Sequence, residues 1–407
     1  MKGGALLRAL PVIALTAQQS AAMLAIPPFL QTLGFPLALI GGLVSLGPFL
    51  SLSARIPSGL LYRTSRARLL IITTLLVING CNILYTLVDH ALIFALVHSV
   101  NGFFLGAATT FYMAFFVEAL PEDESRQHAM GYYMGCLATG HSTGGLAAGF
   151  IADRLGYAPA FYFAALLPLL CAAALLLYPK EESSSSRKES RKEPFAFSTV
   201  KNSLKAIAEP RMANVVMVAL FLNILHQIGA VFLPLYGLAV GLNLTQMGII
   251  KSLYALCNAI TRPLSGLVVH HLGTHRLSLF GLPVQSIFLM LIPLCVDFTP
   301  LLIVYILAGF MRAVVIVSNA IMLVQDVDQT RFPQGLTSGI YNAAGDLGNI
   351  LGPSLGGVIA ALSGIAGLFV MGPLAMALLF LGALQTVKFI PPSSTSGNGK
   401  SGVPPAG

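Results

Sequence analysis

Long apolar stretches, each about the length of a membrane-spanning helix, alternate with short polar segments along the whole chain. About 20 apolar residues are needed for a helix to cross the hydrocarbon core, and runs of this length do not suit barrel strands. Backbone groups in lipid must also be satisfied within the segment, which favours helices. The pattern predicts twelve helices, at roughly 5–30, 36–60, 67–88, 91–118, 127–152, 158–179, 212–238, 244–268, 275–297, 299–325, 334–361 and 364–388.

The predicted fold class is therefore an all-α integral membrane protein, and one segment divides it in two. Between the sixth and seventh apolar stretches the chain carries four consecutive serines and mixed charges, a composition that cannot form a packed core. We predict an N-terminal six-helix bundle at 1–179, a cytoplasmic linker at 180–211, a C-terminal six-helix bundle at 212–390 and a disordered tail at 391–407.

The two predicted bundles repeat one another. The offset between matching residues is about 207 positions early in each half and about 208 later. In a membrane-spanning sequence, a period of half the chain is typical of a transporter with its site between two bundles. The matched pairs include Pro27 with Pro234, Gly41 with Gly248, Ser45 with Ser252, Arg55 with Arg262, Gly140 with Gly348, Gly144 with Gly352 and Gly149 with Gly357.

Composition and charge support a membrane location and exclude other classes. Charged residues make up 9% of the chain, against about 25% in soluble domains. The net charge of +8 comes from Lys and Arg in short segments between the apolar runs, in alternate loops that therefore fall on one side of the membrane, so it does not indicate nucleic acid. By the positive-inside rule, both termini and the linker are cytoplasmic, in a cell (inner) membrane.

Sequence motifs of enzymes are missing from the chain. It has no complete Gly-x-x-x-x-Gly-Lys-Ser/Thr phosphate loop, because the Gly-Lys-Ser at 399–401 has Ser394 in place of the first glycine, and its five cysteines lie in apolar runs without ligand spacing. We therefore expect a protein that is not an enzyme, needs no cofactor or metal, and works as a monomer. Its partners would be the lipid bilayer, a small-molecule substrate and a coupling ion.

Twelve spans, a six-plus-six repeat and a charged central loop resemble the major facilitator superfamily over about residues 5 to 390. The eleventh span is similar to a motif of the drug and metabolite proton antiporter branch, Gly-x-x-x-Gly-Pro-x-x-Gly-Gly, which in that branch belongs to the fifth span. Small residues four apart let helix backbones touch, and proline bends a helix. The matching residues are Gly348, Gly352, Pro353 and Gly357, and the fifth span keeps the spacing at Gly140, Gly144 and Gly149 with Gly145 in the proline position.

The family's loop motif after the second span is present in an altered form. Gly59, Arg63 and Arg66 fit it, but Tyr62 replaces the acid and Ser65 a glycine. His98 stands where family antiporters often carry an arginine. The resemblance therefore implies the fold and a conformational role for these residues, while the family's Asp-to-Arg relay is altered.

Ionisable residues within the predicted spans are the strongest pointers to function, because a charge at the bilayer centre costs roughly 2.5–3.5 kcal/mol on insertion scales. Arg312 and Asp346 both lie midway along their spans, and Lys251 lies in the outer half of its span. We expect an Arg312–Asp346 ion pair, which either fixes packing or binds substrate and responds to a proton. Asp346 is the best proton-carrier candidate, provided that Arg312 releases it during the cycle.

Further polar residues point to a site between the bundles. Lys251, Asn258 and Arg262 share one helix face by their spacing. Arg262 is either part of that polar face or an anchor at the membrane surface. We predict a substrate site formed by Gln18, Gln19, His226, Lys251, Asn258 and Arg312, with proton coupling at Asp346 and Arg312.

The predicted function is a secondary active transporter that moves a small organic solute by rocking of its two bundles, with proton-coupled export as the favoured form. One alternative is proton-coupled uptake or exchange of a small anionic metabolite, because the predicted site contains more cations than acids. A second alternative is a membrane receptor or assembly factor that has the same fold and transports nothing.

Overall fold

The computed structural model describes residues 4–118, 125–177, 209–325 and 334–386, and over these ranges it is helical with short turns. The predicted tail lies outside the described residues, as does the linker except for its last three positions. The N-terminal bundle comprises α1 (Gly4–Thr32), α2 (Leu37–Leu61), α3 (Ala67–Leu84), α4 (Ala91–Glu118), α5 (Ser125–Leu155) and α6 (Tyr157–Leu177). The C-terminal bundle begins with α7 (Pro210–Ala239), α8 (Leu244–Leu272), α9 (Thr274–Met290) and α10 (Phe298–Gln325).

The last helical stretch, Gln334–Thr386, contains two helices rather than one. Gly364 interrupts it with φ 77° and ψ 169°, a conformation that glycine adopts without the steric cost of a Cβ atom. We call the two parts α11 (334–363) and α12 (365–386). The helix count within the described residues therefore agrees with the twelve predicted spans, and the all-α membrane fold is confirmed.

Two helices differ from the others in composition. Nine helical stretches of the described chain, with Gln334–Thr386 counted once, are long and apolar enough to cross a membrane, and α5 and α8 are not among them. These two helices carry glycine, serine and charged residues instead, and they pack against each other between the bundles. Their lower hydropathy is what protein-facing rather than lipid-facing helices need.

The bundles meet along two repeat-related interfaces, α2 against α11 and α5 against α8. We call the membrane face at which α1 begins and α12 ends the proximal face, and the opposite one the distal face. In the distal half, a Cβ added to Gly41 would lie 2.9 Å from the Cα of Gly357, and one added to Gly149 would lie 3.1 Å from the Cα of Gly248. Only glycine allows these backbones to approach so closely, so the distal halves of the bundles are in contact.

Serines add hydrogen bonds at both distal interfaces. Ser354 donates to the Oγ of Ser45 at 2.8 Å, and Ser252 donates to the carbonyl of Ser142 at 2.5 Å. Ser142 in turn donates to the carbonyl of Ser252 at 3.2 Å. Ser45 and Ser252 are repeat partners, but their bonding partners Ser354 and Ser142 do not match one another in the repeat, so the two interfaces share one serine position and differ in its bonding.

Candidate functional site

An ion pair joins the two bundles in their proximal halves. A guanidinium nitrogen of Arg55 on α2 lies 2.5 Å from a carboxylate oxygen of Asp346 on α11. The Asp346 side chain is 13% exposed and that of Arg55 is 45% exposed. The predicted Arg312–Asp346 pair is therefore wrong for this conformation, because α11 packs against α2 and presents Asp346 to the other bundle.

A pocket of about 210 Å³ lies beside this pair. It lies in the proximal half, where α2, α7 and α11 come together. Its lining is largely polar and combines the two charges with amide and phenol groups. The lining residues are Arg55, Ala219, Asn223, Tyr341, Asn342, Gly345, Asp346 and Asn349.

Arg312 lies behind the wall of this pocket and is 8% exposed. It donates to the carbonyl of Leu222 at 2.9 Å and to the side-chain oxygen of Asn223 at 3.0 Å. Asn223 itself lines the pocket, so Arg312 holds one of the pocket's amide groups in place. A guanidinium has five N–H donors, and the hydrogen bonds to described residues use two of those of Arg312.

His226 belongs to an aromatic layer in the same bundle. Its ring stacks on Tyr254, with centroids 5.7 Å apart and planes at 10°, and its Nδ1 is 3.1 Å from the Tyr254 hydroxyl. Tyr254 also packs against Tyr305 with ring centroids 4.6 Å apart.

Asn258 ties the polar face of α8 to α10. Its amide nitrogen donates to the carbonyl of Gly309 at 3.4 Å, and its amide oxygen accepts from Nε of Arg262 at 3.1 Å. The structure thus places Asn258 beside Arg262, as the helical spacing predicts. Arg262 is itself exposed, although its Nε is bonded to Asn258.

Lys251 lies farther toward the distal face, between the bundles. Its Nζ donates to the carbonyl of Ala230 on α7 at 3.1 Å and to the carbonyl of Met23 on α1 at 3.4 Å. Lys251, Arg262 and Arg312 therefore all donate to neutral oxygens, and none forms an ion pair within the described part of the chain.

Gln18 is not brought to this site. It is 1% exposed and donates to the side-chain oxygen of Asn82 on α3 at 3.2 Å, inside the N-terminal bundle. Gln19 is partly exposed and remains available to line the space between the bundles. The two neighbours differ because successive helical residues point about 100° apart.

The glycines of the resembling motif are divided between two kinds of contact. Gly140 and Gly144 pack on α1, and Gly348 and Gly352 pack on α7, whereas Gly149 and Gly357 contact the opposite bundle. Pro353 directs its carbonyl at Gly41 across the interface. In the turn after α2, Arg63 and Arg66 are exposed, and a Cβ on Gly59 would meet open space.

His98 has a packing role. Pro48 has no N–H, which leaves the carbonyl of Val44 without its usual helical donor. Nε2 of His98 lies 3.3 Å from this carbonyl, and the Tyr85 hydroxyl lies 2.8 Å from Nδ1 of the same ring. Because a carbonyl only accepts, Nε2 carries the proton and Tyr85 donates to Nδ1.

Sequence reasoning missed several residues of the site. Arg55 entered the sequence analysis only as the repeat partner of Arg262, yet a charge inside a predicted span is itself a signal. Asn223, Tyr254, Tyr305 and Tyr341 carry no such signal, since amides and phenols in apolar runs are common. Within the described ranges, no group of three or more His, Cys, Asp or Glu is arranged to hold a metal ion.

Comparison with known proteins gives a consistent result. The sequence model of the Major Facilitator Superfamily matches residues 11–332 and, in a second match, 245–406. No match to a curated protein sequence was found.

Solved structures share the fold at low sequence identity. A mutant form of the nucleoside transporter NupG has a TM-score of 0.77 at 12% identity, covering 95% of this chain and 100% of its own. A bacterial homologue of the human lysosomal transporter Spinster, inward-facing and unoccupied, has a TM-score of 0.72 at 14% identity, covering 94% of both chains. At such identities the likeness shows the fold alone.

Proposed function

Since the chain belongs to the major facilitator superfamily, we propose that it is a proton-coupled secondary transporter that exports a small organic solute by alternating access. The family and the fold support the secondary transporter itself. The observation that carries proton coupling is the Arg55–Asp346 ion pair, because it joins the two bundles that must move relative to one another.

Asp346 is the proposed proton carrier. While it is ionised, its attraction to Arg55 holds α2 against α11 in the proximal half. A proton on the carboxyl removes the negative charge and with it most of this attraction, so the helices separate more easily. Uptake of the proton on one side of the membrane and its release on the other would couple proton flow to bundle movement. In this proposal Arg55, rather than Arg312, takes the role of the releasing partner.

The proposed entrance for the solute is the proximal pocket. Glycine contacts close the distal half, whereas the pocket beside Asp346 lies in the proximal half. The positive-inside rule assigns the proximal face to the cytoplasm, so this conformation suits loading from the cytoplasm. The direction of transport, export, is supported by the glycine–proline pattern of α11, which resembles the antiporter branch.

A second candidate is transport of a small anionic metabolite, by uptake or exchange. Arg262 is the repeat partner of Arg55, but the position that matches Asp346 in the first half is Ala138, so the repeat supplies no acid for Arg262. Arg262 and Arg312 donate to neutral oxygens, and Asp346, the acid expected to balance them, is engaged by Arg55. A negatively charged solute group would restore the charge balance in a region where charges are costly.

The proposed substrate residues follow from this charge pattern. Arg262 and Arg312 would bind the anionic group, His226 and Tyr254 would pack against the body of the solute, and Gln19 would face it from the first bundle. Asn258 would position Arg262 through their hydrogen bond. Lys251 would contribute positive charge from the distal side.

The experiment is gradient-driven flux in liposomes that contain only the purified protein. An imposed pH gradient of either sign is combined with panels of anionic, neutral and cationic organic solutes. We expect accumulation that follows the proton gradient in the wild type and a loss of about tenfold or more in Asp346→Asn, equivalent to about 1.4 kcal/mol. Full accumulation by Asp346→Asn would overturn the proton-carrier assignment.

Asp153→Asn is the matched control. Asp153 is also an acid at a bundle interface, but it is exposed and accepts a hydrogen bond from the neutral hydroxyl of Thr245 at 2.8 Å. An asparagine oxygen can accept the same bond, so we expect wild-type flux. Absence of flux for every solute under every gradient would favour the receptor or assembly-factor alternative.

A further inference from the structure

Two prolines at matching positions of the repeat leave two carbonyls without helical hydrogen bonds. Pro27 in α1 and Pro234 in α7 are repeat partners, and both lie inside their helices. Proline has no N–H, so the carbonyl four residues earlier loses its donor. The carbonyls in question belong to Met23 and Ala230, one in each bundle.

Both of these carbonyls are bonded by one ammonium group. Nζ of Lys251 donates to Ala230 at 3.1 Å and to Met23 at 3.4 Å. An ammonium has three donors and no acceptor, so it can serve two carbonyls at once. Bonds from a charged donor are also stronger than bonds between neutral groups. The repeat thus supplies two acceptors, and a single lysine of α8 occupies both.

We propose that the Met23 and Ala230 carbonyls form an ammonium site that spans the two bundles, and that Lys251 is its built-in ligand when the distal halves are closed. The site lies in the same half of the molecule as the glycine contact between Gly41 and Gly357. Met23 belongs to the N-terminal bundle, whereas Ala230 and Lys251 belong to the C-terminal one. Separation of the distal halves therefore breaks the bond to Met23 and leaves the bond to Ala230 intact.

The consequence is a contact that favours one conformation. In the distally closed state Lys251 satisfies two freed carbonyls, and in a distally open state it satisfies one and leaves Met23 without a protein donor. Lys251 should therefore stabilise the closed state relative to the open one. The inference rests on the rocking of the two bundles but not on any solute, gradient or direction of transport.

Val44 and His98 provide an internal comparison. Pro48 frees the carbonyl of Val44, and His98 donates to it at 3.3 Å. The chemistry is the same, but both residues belong to the N-terminal bundle. Removing Pro48 should therefore leave the balance between closed and open states unchanged, which makes it a matched control for the effect of removing a helix proline.

The experiment measures the distance between the bundles at the distal face by pulsed electron paramagnetic resonance between two spin labels. Suitable exposed positions are Gln31 in α1 and Asp297 before α10. Each is replaced by cysteine and spin-labelled in a variant that lacks the native cysteines. The wild-type background should show mainly the short distance. Lys251→Met keeps a chain of similar length without charge or donors and should raise the ratio of long to short distances about tenfold.

Pro27→Ala tests the other side of the same bond. The new N–H returns the Met23 carbonyl to the helix, so the ammonium competes with it and the same shift toward the long distance is expected. The double variant Lys251→Met with Pro27→Ala should shift no further than either single variant, because both remove one interaction. Lys251→Arg retains charge and donors and should stay close to the wild type, as should Pro48→Ala.

Three results would overturn the proposal. They are an unchanged distance distribution in Lys251→Met, fully additive shifts in the double variant, and a shift in Pro48→Ala as large as that in Pro27→Ala. If Lys251→Met does not fold, Pro27→Ala and Lys251→Arg with their control still decide the question. A protein that transports nothing could pass this test, and a transporter could fail it, so the two proposals stand or fall separately.

Discussion

Arg55 and Asp346 form an ion pair across the two bundles, with a nitrogen–oxygen distance of 2.5 Å, although they are 291 residues apart in the sequence. The repeat gives no matching ion pair at the other interface, because Arg262 matches Arg55 but Ala138 matches Asp346. The two otherwise similar interfaces between the bundles therefore differ in charge. One carries an ion pair at this level, and the other carries Arg262, which forms no ion pair within the described part of the chain.

The first prediction concerns the worth of this pair. We expect a double-mutant cycle with Arg55→Gln and Asp346→Asn to give a coupling of about 1–2 kcal/mol, between that of exposed pairs and that of buried charged hydrogen bonds. The cycle is measured twice, once by thermal unfolding in detergent and once by flux in liposomes. A coupling near zero in both readouts would mean that the pair holds nothing together.

The second prediction concerns the glycine contact in the distal half. Gly41→Ala places a methyl group against Pro353 and Gly357 of the other bundle, so the state with a closed distal half should be destabilised by about 1–3 kcal/mol. The population with an open distal face should rise, as measured by the labelling rate of a cysteine introduced near that contact.

Gly42→Ala is the neighbouring control, since a Cβ at Gly42 would meet no atom within 4 Å. In this variant the introduced cysteine should be labelled at the wild-type rate. Equal behaviour of the two alanine variants would show that backbone flexibility rather than close approach explains the need for glycine.

The third prediction concerns solute charge. Arg262→Gln removes a cation that is exposed and bonded to Asn258, and it should weaken the transport or inhibition by anionic solutes about tenfold more than that by neutral ones, a difference of about 1.4 kcal/mol. The measurement is a comparison of KM or inhibition constants for a charged and an uncharged analogue of similar size.

Arg154→Gln serves as the control for the third prediction, because Arg154 lies over the ring of Phe150, 4.3 Å from its centroid, near the distal end of α5. It should leave the ratio between the two analogues unchanged. A uniform loss for both analogues in Arg262→Gln would assign Arg262 to anchoring rather than to recognition of charge.

The fourth prediction concerns stability. His98→Ala leaves the buried Val44 carbonyl without a donor and removes a ring that stacks on Phe94, at a cost of about 1–3 kcal/mol in the free energy of unfolding. Adding Pro48→Ala restores a backbone N–H and should recover part of this loss. Thermal unfolding of the single and the double variant measures this recovery. A double variant no more stable than His98→Ala would contradict the explanation.

The sequence predicted the helices well because their length and apolarity are dictated by the membrane. The second span was expected at about 36–60 and is Leu37–Leu61, and the eighth was expected to begin at 244 and begins at Leu244. The repeat also matched Gly41 with Gly248, and the structure shows that both lie at distal contacts between the bundles.

The site was predicted less well, for a physical reason. Position along a span gives depth in the membrane, and it was depth that suggested Arg312 as the partner of Asp346. The direction in which each side chain points depends on how helices pack, and α11 lies between α2 and α7. Gln18 illustrates the same limit, because its depth is suitable but its side chain faces Asn82 within its own bundle.

The ammonium of Lys251 has one more consequence, which concerns how alike the two halves can be. The residue that matches Lys251 in the first half is Val44. If the repeat placed a second lysine at the same pair of carbonyls, two ammonium groups would lie close together and repel one another where charges are costly. A protein with two identical halves could therefore keep both prolines but not both lysines. The charge of a single ammonium thus favours two halves that differ at this position.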